Sequence, residues 1–297
     1  MSPKVSVIMN CYNSATYLKE AIDSVYAQSY SNWEIIFWDN QSSDNSAEIA
    51  KSYDDRLKYY CSDCYLKLGE GRNKALEKVT GDYIAFLDCD DQWLPQFLEH
   101  QTSLLDNDKD LGVVYSNFLT IFDNVKEQKL AISKKHPSGH VFLQALSVYP
   151  VGILTAVIRR DVLSGLTHYF DPKLNLVEDY DFFMRIIADN KAAYTSDPLA
   201  IYRNHSNNHT NRYKADFPDE LIYTLEKFKK LYPSYQDVLL QLILEQRIKK
   251  VVYQHVAKGF FLSFFMHLRK DNLLTVPVFF KWGWRFFKMK IKRLLFG

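Results

Sequence analysis

The chain has 297 residues, long for one simple domain and short for two full ones at about 100–200 residues each. Its 37 basic and 35 acidic residues leave a formal net charge of +2, so no global basic field argues for nucleic acid. Hydrophobic residues make up 47% and charged residues 24%, the balance of a soluble globular chain rather than a disordered one.

Apolar patterning predicts a strand at "KVSVIM", ending at Asn10. From Ala15 to Ser29, residues Leu18, Ala21, Ile22, Val25 and Tyr26 share one helical face. "WEIIFW" is a second buried strand, "SSDNSAEIAKSY" a helix opened by capping residues, "LKYYC" a third strand, "GRNKALEKV" a helix and "YIAFL" a fourth strand. Strand–helix alternation predicts a mainly parallel sheet with helices on both faces. Ligands of such sheets bind beyond the carboxyl ends of the strands. Further on, "GILTAVIRR" is predicted as a strand and "HYFDPKLNLVEDYDFFMRII" as a loop entering a helix. "IYRNHSNNHTN" is predicted as a short strand opening into a polar loop, and the stretch beyond Pro218 as helical.

Four cysteines stand at 11, 61, 64 and 89. "CSDC" has C-x-x-C spacing, but no second pair follows at zinc-like distance, which favours reduced thiols. The apolar start is too short for a signal-peptide core, and no run approaches the roughly 18 apolar residues of a membrane span. These features predict an intracellular protein from a reducing compartment.

The polar ends of the predicted strands carry the chemistry: "NCYNS" after the first, "DNQSSDNS" after the second and "DCDDQW" after the fourth. In the last, Asp88, Asp90 and Asp91 crowd together. Helix capping ahead of "WLPQFLEH" accounts for one of them, Asp91, but not for three. Carboxylates this close repel unless a cation joins them, and hard divalent cations are commonly shared with substrate phosphates. A second acidic group, Glu178, Asp179 and Asp181 in "VEDYD", opens a predicted helix. The helix dipole favours acids there, yet three exceed what capping requires.

In this order the stretches "VSVIMNCYNS", "EIIFWDNQSSDNS", "GRNKALEKVTGDYIAFLDCDDQWLP", "FDPKLNLVEDYDFFMRI" and "YRNH" resemble the family 2 inverting glycosyltransferases of GT-A fold, over roughly residues 4–205. The resemblance implies a Rossmann-like, mixed, mainly parallel sheet flanked by helices, a nucleotide-sugar donor and a divalent metal, Mn2+ or Mg2+. It places Cys11 and Asn13 in the loop against the nucleoside and Asp39 at the base or ribose. Arg72 falls near the nucleotide, although a solvated helix-face arginine is an equal reading. Asp88 falls near the ribose and donor sugar, Asp90 as metal ligand and Asp179 as the general base. Asp91, Glu178 and His205 are supporting residues. The chain departs from the family pattern at Asn40-Gln41-Ser42, where an acid, glycine and serine are usual, and at Cys11, where a small hydroxyl residue is more common.

The expected organisation is a catalytic domain over 1–215, with a nucleotide-sugar half (about 1–120) and an acceptor half (about 121–215). A helical, basic–aromatic extension over 216–297 follows. Between Lys281 and Arg293 stand six basic residues and no acid, mixed with Trp282, Trp284, Phe286 and Phe287. This composition favours an anionic headgroup interface over a helix packed on the catalytic domain. The expected protein is thus cytoplasmic and peripheral on the inner face of the cell membrane. It moves a sugar from a nucleotide diphosphate, UDP first, to a hydroxyl of a glycan or lipid-linked glycan, in lipopolysaccharide, O-antigen or capsule synthesis. A sugar-phosphate nucleotidyltransferase would carry a Gly-rich, Arg-containing first loop, which "NCYNS" lacks. A non-catalytic glycan- or membrane-binding protein on the same scaffold is opposed by Asp88, Asp90 and Asp179.

Overall fold

A computed structural model describes residues 4–122, 125–213 and 216–256. The chain groups into two units, Met1–Lys214 and Ala215–Gly297. Among the described residues of the first, nine strands form one sheet: β1 (Val5–Cys11), β2 (Trp33–Asp39), β3 (Leu57–Cys61), β4 (Tyr83–Phe86), β5 (Gln92–Trp93), β6 (Leu111–Phe122), β7 (Val125–Leu130), β8 (Val157–Arg159) and β9 (Lys191–Asn204). Their order is β3-β2-β1-β4-β8-β6-β9-β5, with β7 paired to β6. β3, β2, β1 and β4 are mutually parallel. β8 runs against both β4 and β6, and β9 runs with β6. Six strands therefore point the same way, and the sheet is mixed but mainly parallel.

The helices of this unit are α1 (Ala15–Tyr26), α2 (Ser46–Lys51), α3 (Leu68–Leu76), α4 (Phe97–Asn107), α5 (Phe142–Ser147), α6 (Glu178–Asp189) and the short α7 (His209–Arg212). β2 is buried along its whole length, as expected of a parallel strand covered on both faces. On one face Val5, Val7 and Met9 join Leu18, Ala21, Ile22 and Val25 of α1 and Leu98 and Leu105 of α4 in one core. Elsewhere Phe86 meets Phe170, Phe182 and Phe183 edge-on at 5.7, 6.0 and 6.2 Å, which docks α6 on the sheet. The edge-to-face geometry suits the aromatic quadrupole.

Two expectations change and one strand is added. "GILTAVIRR" is a strand only at β8; 3-10 turns occupy Ile153–Thr155 and Arg160–Gly165. The Thr155 N–H and Oγ1 both donate to Gly152 O, at 2.8 and 2.7 Å, and turn the chain before it can extend. The twelve-residue β6 was not predicted, although "LGVVY" begins it. Asp91 is not the cap of α4, which starts only at Phe97; the Leu98 N–H in its first turn donates instead to Gln28 Oε1 at 2.9 Å.

In the second unit, α8 (Phe217–Leu231) and α9 (Gln236–Val256) form a hairpin through a 3-10 turn at Pro233–Tyr235. Asp219 near the start of α8 pairs with Lys250, and Glu226 with Arg247 at 3.2 Å, so the helices run antiparallel. Pro218, with Asp219 and Glu220 in the first turn and Lys229 and Lys230 in the last, suits both ends of α8. Among the described residues no helix is long and apolar enough to cross a membrane. The expected membrane contact at 281–297 lies outside the described residues.

Candidate active site

The loops after β1 and β2 are locked together at the sheet's carboxyl rim. The Asn13 N–H donates to Ser42 Oγ at 3.0 Å, and Asn13 Oδ1 accepts from the Ser43 N–H at 2.8 Å. Asp44 accepts from the N–H of Ala15, at the start of α1, at 3.0 Å. Both loops use left-handed backbone, with φ of 51° at Asn13 and 63° at Gln41. Asparagine tolerates this region well; glutamine is less suited to it. Gln41 is fastened there by its amide, which donates to Asp63 O at 2.7 Å. Asp39 is buried beneath the loop. Its carboxylate accepts from the Ser42 N–H at 2.8 Å and from Tyr59 Oη at 2.6 Å. Cys11, also buried, places Sγ 3.7 Å from Ser42 Oγ.

The acidic loop after β4 divides into three environments. Asp88 accepts from Arg72 Nη2 at 2.8 Å. Asp90 Oδ2 lies 2.9 Å from His205 Nε2 and accepts from Asn208 Nδ2 at 3.2 Å. Asp91, 2% exposed, accepts from the Arg203 N–H at 2.9 Å. Arg203 also donates to Asp90 O at 3.2 Å and to Glu20 at 2.6 Å. The end of β9 is thereby tied to the acidic loop, and His205 is delivered beside Asp90. Burial raises the Asp90 carboxyl above its usual range, the Asp88 charge adds to this, and His205 opposes it. Burial pushes Asp91 well up, helped by Asp90 and Asp88. The cluster is short of positive charge, and its oxygens with one imidazole fit a hard or borderline divalent cation.

The second acidic group is joined to the first through Arg72. A Cβ at Gly71 would lie 2.5 Å from Asn10 Nδ2, so α3 sits directly on the sheet. The next residue, Arg72, is consequently 3% exposed, not a solvated helix-face arginine. Its Nη1 donates to Glu178 Oε1 at 2.8 Å while Nη2 holds Asp88. Beside Glu178, Asp179 accepts from the Tyr180 N–H at 2.6 Å. Burial, then the Glu178 charge, pushes the Asp179 carboxyl up to about 7, against the pull of Arg72. Asp181 faces elsewhere. Arg185 Nε donates to it at 3.0 Å, and Arg185 Nη1 donates to His168 O at 2.6 Å. His168, Asp171 and Asp181 have ligand atoms within 4.8 Å of one another, but the guanidinium already supplies the positive charge there. That cluster braces the chain ahead of α6.

A cavity of about 390 Å³ opens over the rim, lined among others by Tyr12, Asn13, Asn40, Asp88, Asp90 and His205. Asp91 also lines it; Cys11, Asp39, Arg72, Glu178 and Asp179 do not. The sequence reading missed Tyr12, Tyr65 and Asn208. Tyr12 and Tyr65, both exposed, meet edge-on with centroids 5.0 Å apart at the cavity wall. Tyr12 stands inside the quoted "NCYNS" and was legible there; Tyr65 carries no local signal.

The sheet has the GT-A fold of solved glycosyltransferases. Residues 6–166 match the family described as glycosyl transferase family 2, more than half of the chain, and the protein belongs to that family. An uncharacterized glycosyltransferase of Methanocaldococcus jannaschii is 35% identical over 211 residues, 68% of this chain and 71% of that one. The UDP-Glc:alpha-D-GlcNAc-diphosphoundecaprenol beta-1,3-glucosyltransferase WfgD of Escherichia coli is 32% identical over 187 residues, 63% of this chain and 70% of that one. In fold the chain is similar to S. aureus TarS 1-349 solved with UDP-GlcNAc, at a TM-score of 0.70 and 21% identity, covering 83% of this chain and 73% of that one. It is also similar to the mannosyltransferase PcManGT of Pyrobaculum calidifontis solved with GDP-Man and Mn2+, at a TM-score of 0.62 and 17% identity, covering 99% and 88%.

Proposed function

We propose that the protein transfers a sugar from a UDP-sugar to a hydroxyl of a lipid-linked glycan, with inversion, in bacterial surface polysaccharide synthesis. The observation that carries this is the buried Arg72, which joins a donor-side acid, Asp88, to Glu178, the neighbour of Asp179. Tyr12 and Tyr65 offer aromatic faces for the nucleobase and Asn13 offers its amide for the nucleoside, while Asn40 holds the Leu66 backbone, Nδ2 donating to its O at 2.6 Å and Oδ1 accepting its N–H at 2.9 Å. Asp39 and Cys11 hold the loop beneath them. Asp88 lies where ribose and donor sugar would bind. Asp90 would hold a divalent cation, Mn2+ or Mg2+, with His205 beside it. A cation bound there would neutralise charge on the departing diphosphate.

Asp179 takes the proton of the acceptor hydroxyl. The freed oxygen lone pair forms a bond to the anomeric carbon as the bond to the β-phosphate oxygen breaks, and UDP leaves with that electron pair. Attack opposite the leaving group inverts the anomeric centre. A base must be ionised to act and is most effective when its pKa lies near the working pH; a carboxyl pushed up to about 7 meets both conditions. The diphosphoundecaprenol acceptor in the name of the Escherichia coli relative supports a lipid-linked acceptor. The basic, aromatic segment 281–297 would bring the enzyme to the anionic inner face of the membrane. The test is a screen of UDP-, GDP- and dTDP-sugars with Mn2+ or Mg2+, reading nucleotide release and the anomeric configuration of the product by NMR. Inverted product from a UDP-sugar is expected; a retained configuration overturns the mechanism, and preference for another nucleotide overturns the donor.

A further inference from the structure

A second, open groove of about 900 Å³ runs along residues 131–136, α5 and the turn after it. Its lining combines Lys134, Lys135 and His136 with Leu143, Val148 and Val151, and among the described residues no acidic one lines it. Leu143 and Val148 are 43% and 63% exposed, apolar surface left open to water beside cationic side chains. Burial holds His136 below its usual range, so the positive charge at neutral pH comes from the lysines.

The cationic segment is held at both ends. Asn117, 1% exposed, donates from Nδ2 to Ile132 O at 2.8 Å and accepts the Ile132 N–H on Oδ1 at 3.0 Å. The Ala131 N–H donates to Phe118 O at 3.0 Å. At the other end the Tyr194 N–H donates to Ser138 Oγ at 3.1 Å, and the His136 ring meets Tyr194 edge-on at 5.3 Å. One residue of the groove touches the backbone of Asp179. Tyr149, in its wall, donates from Oη to the backbone oxygen of Asp179 at 3.4 Å and packs edge-on against Tyr180 at 4.9 Å.

We infer that this groove seats the carrier of the acceptor: Lys134 and Lys135 take the phosphates that link the acceptor sugar to a hydrocarbon chain, Leu143 and Val148 take the start of that chain, and Tyr149 sets the sugar's distance from Asp179. The inference rests on the transferase reading above and names the part of the acceptor that this chain grips. Two lysines in a lining that shows no acid among the described residues complement a diphosphate, and an exposed apolar wall complements a hydrocarbon; a neutral glycan would use neither.

The test uses the full chain and two variants, Lys134→Ala/Lys135→Ala and Lys134→Arg/Lys135→Arg. Calorimetry with farnesyl diphosphate, at saturating UDP and Mn2+ so that the donor cavity is filled, is expected to show binding by the wild type. The alanine pair should weaken it by about tenfold or more, as befits loss of charge-assisted contacts, and the arginine pair should restore it. In the transfer assay, KM for a sugar linked through diphosphate to farnesyl should rise in the alanine pair at unchanged kcat. KM for the same sugar as a neutral alkyl glycoside should not move. Unchanged farnesyl diphosphate affinity in the alanine pair, or equal KM rises with charged and neutral acceptors, overturns the inference. Failure of the wild type to transfer from any UDP-sugar would count against the transferase reading, and the binding measurement would still decide the groove. Both lysines are exposed, so their removal should leave thermal melting unchanged.

Discussion

The two acidic groups, Asp88–Asp90–Asp91 after β4 and Glu178–Asp179–Asp181 at the start of α6, are near twins in sequence and opposites in setting. The first opens to the cavity and sets a carboxylate against an imidazole, Asp90 to His205 at 2.9 Å. The second lies at a helix N-terminus outside the cavity's lining, where burial and Glu178 push Asp179 up to about 7. Each group also spends one acid on architecture: Asp91 on the Arg203 N–H and Asp181 on Arg185. Like charge gathered at a rim calls for a cation; like charge gathered at a desolvated helix start raises one carboxyl's pKa toward neutrality. Arg72 lies between them with one nitrogen on each group, so the two settings are not independent.

The division of labour can be broken at each member in turn. Asp179→Asn should lower the transfer rate by about 10²–10⁴, the usual scale for a positioned base, as measured by UDP release with acceptor present. The variant should also melt no lower than wild type at pH 8. A carboxyl whose folded pKa exceeds its unfolded one loses stabilisation as pH rises through the folded value, and an amide escapes that cost. Asp90→Ala should lower turnover, because the departing diphosphate loses its cation, and should weaken metal-dependent UDP binding by roughly 100-fold, at the upper end for damage to a metal site. Calorimetry with and without Mn2+ measures it.

Arg72→Lys sharpens the comparison, because a lysine cannot hold Asp88 and Glu178 with a rigid fork. Both UDP affinity and turnover should fall, each by about tenfold, the value of one charge-assisted contact. A loss confined to one of them would show that the bridge serves a single group. Glu178→Gln should give the smallest change, in pH dependence rather than rate. Wild-type turnover should rise with pH through about 7 as Asp179 ionises. Removing the Glu178 charge lowers the Asp179 pKa, so the acid limb of the kcat profile should move to lower pH.

Much of this was legible in the sequence because it is local. The strand ends and the two acidic motifs are short, and the family resemblance set Asp88, Asp90, Asp179 and His205 in order along the chain. What was not legible depends on tertiary approach. Arg72 reads equally as a residue near the nucleotide and as a solvated helix-face arginine until Gly71 lets α3 touch the sheet. Asp91 reads as a cap until β5 pairs with β9 and moves the helix start to Phe97. Tyr65, Lys134 and Lys135 have no spacing that marks them, since loops from distant parts of the chain bring them to their cavities. β6 went unread although its apolar start is visible, and its pairing partner β9 lies about 80 residues on.

The most direct measurement is a calorimetric titration of UDP with Mn2+ into Asp179→Asn and wild type side by side. If one acidic group binds the donor and the other only takes the acceptor's proton, the two affinities should agree within about twofold, a difference of about 0.4 kcal/mol. A loss of UDP affinity in Asp179→Asn comparable to that in Asp90→Ala would contradict the division and place both groups in donor binding.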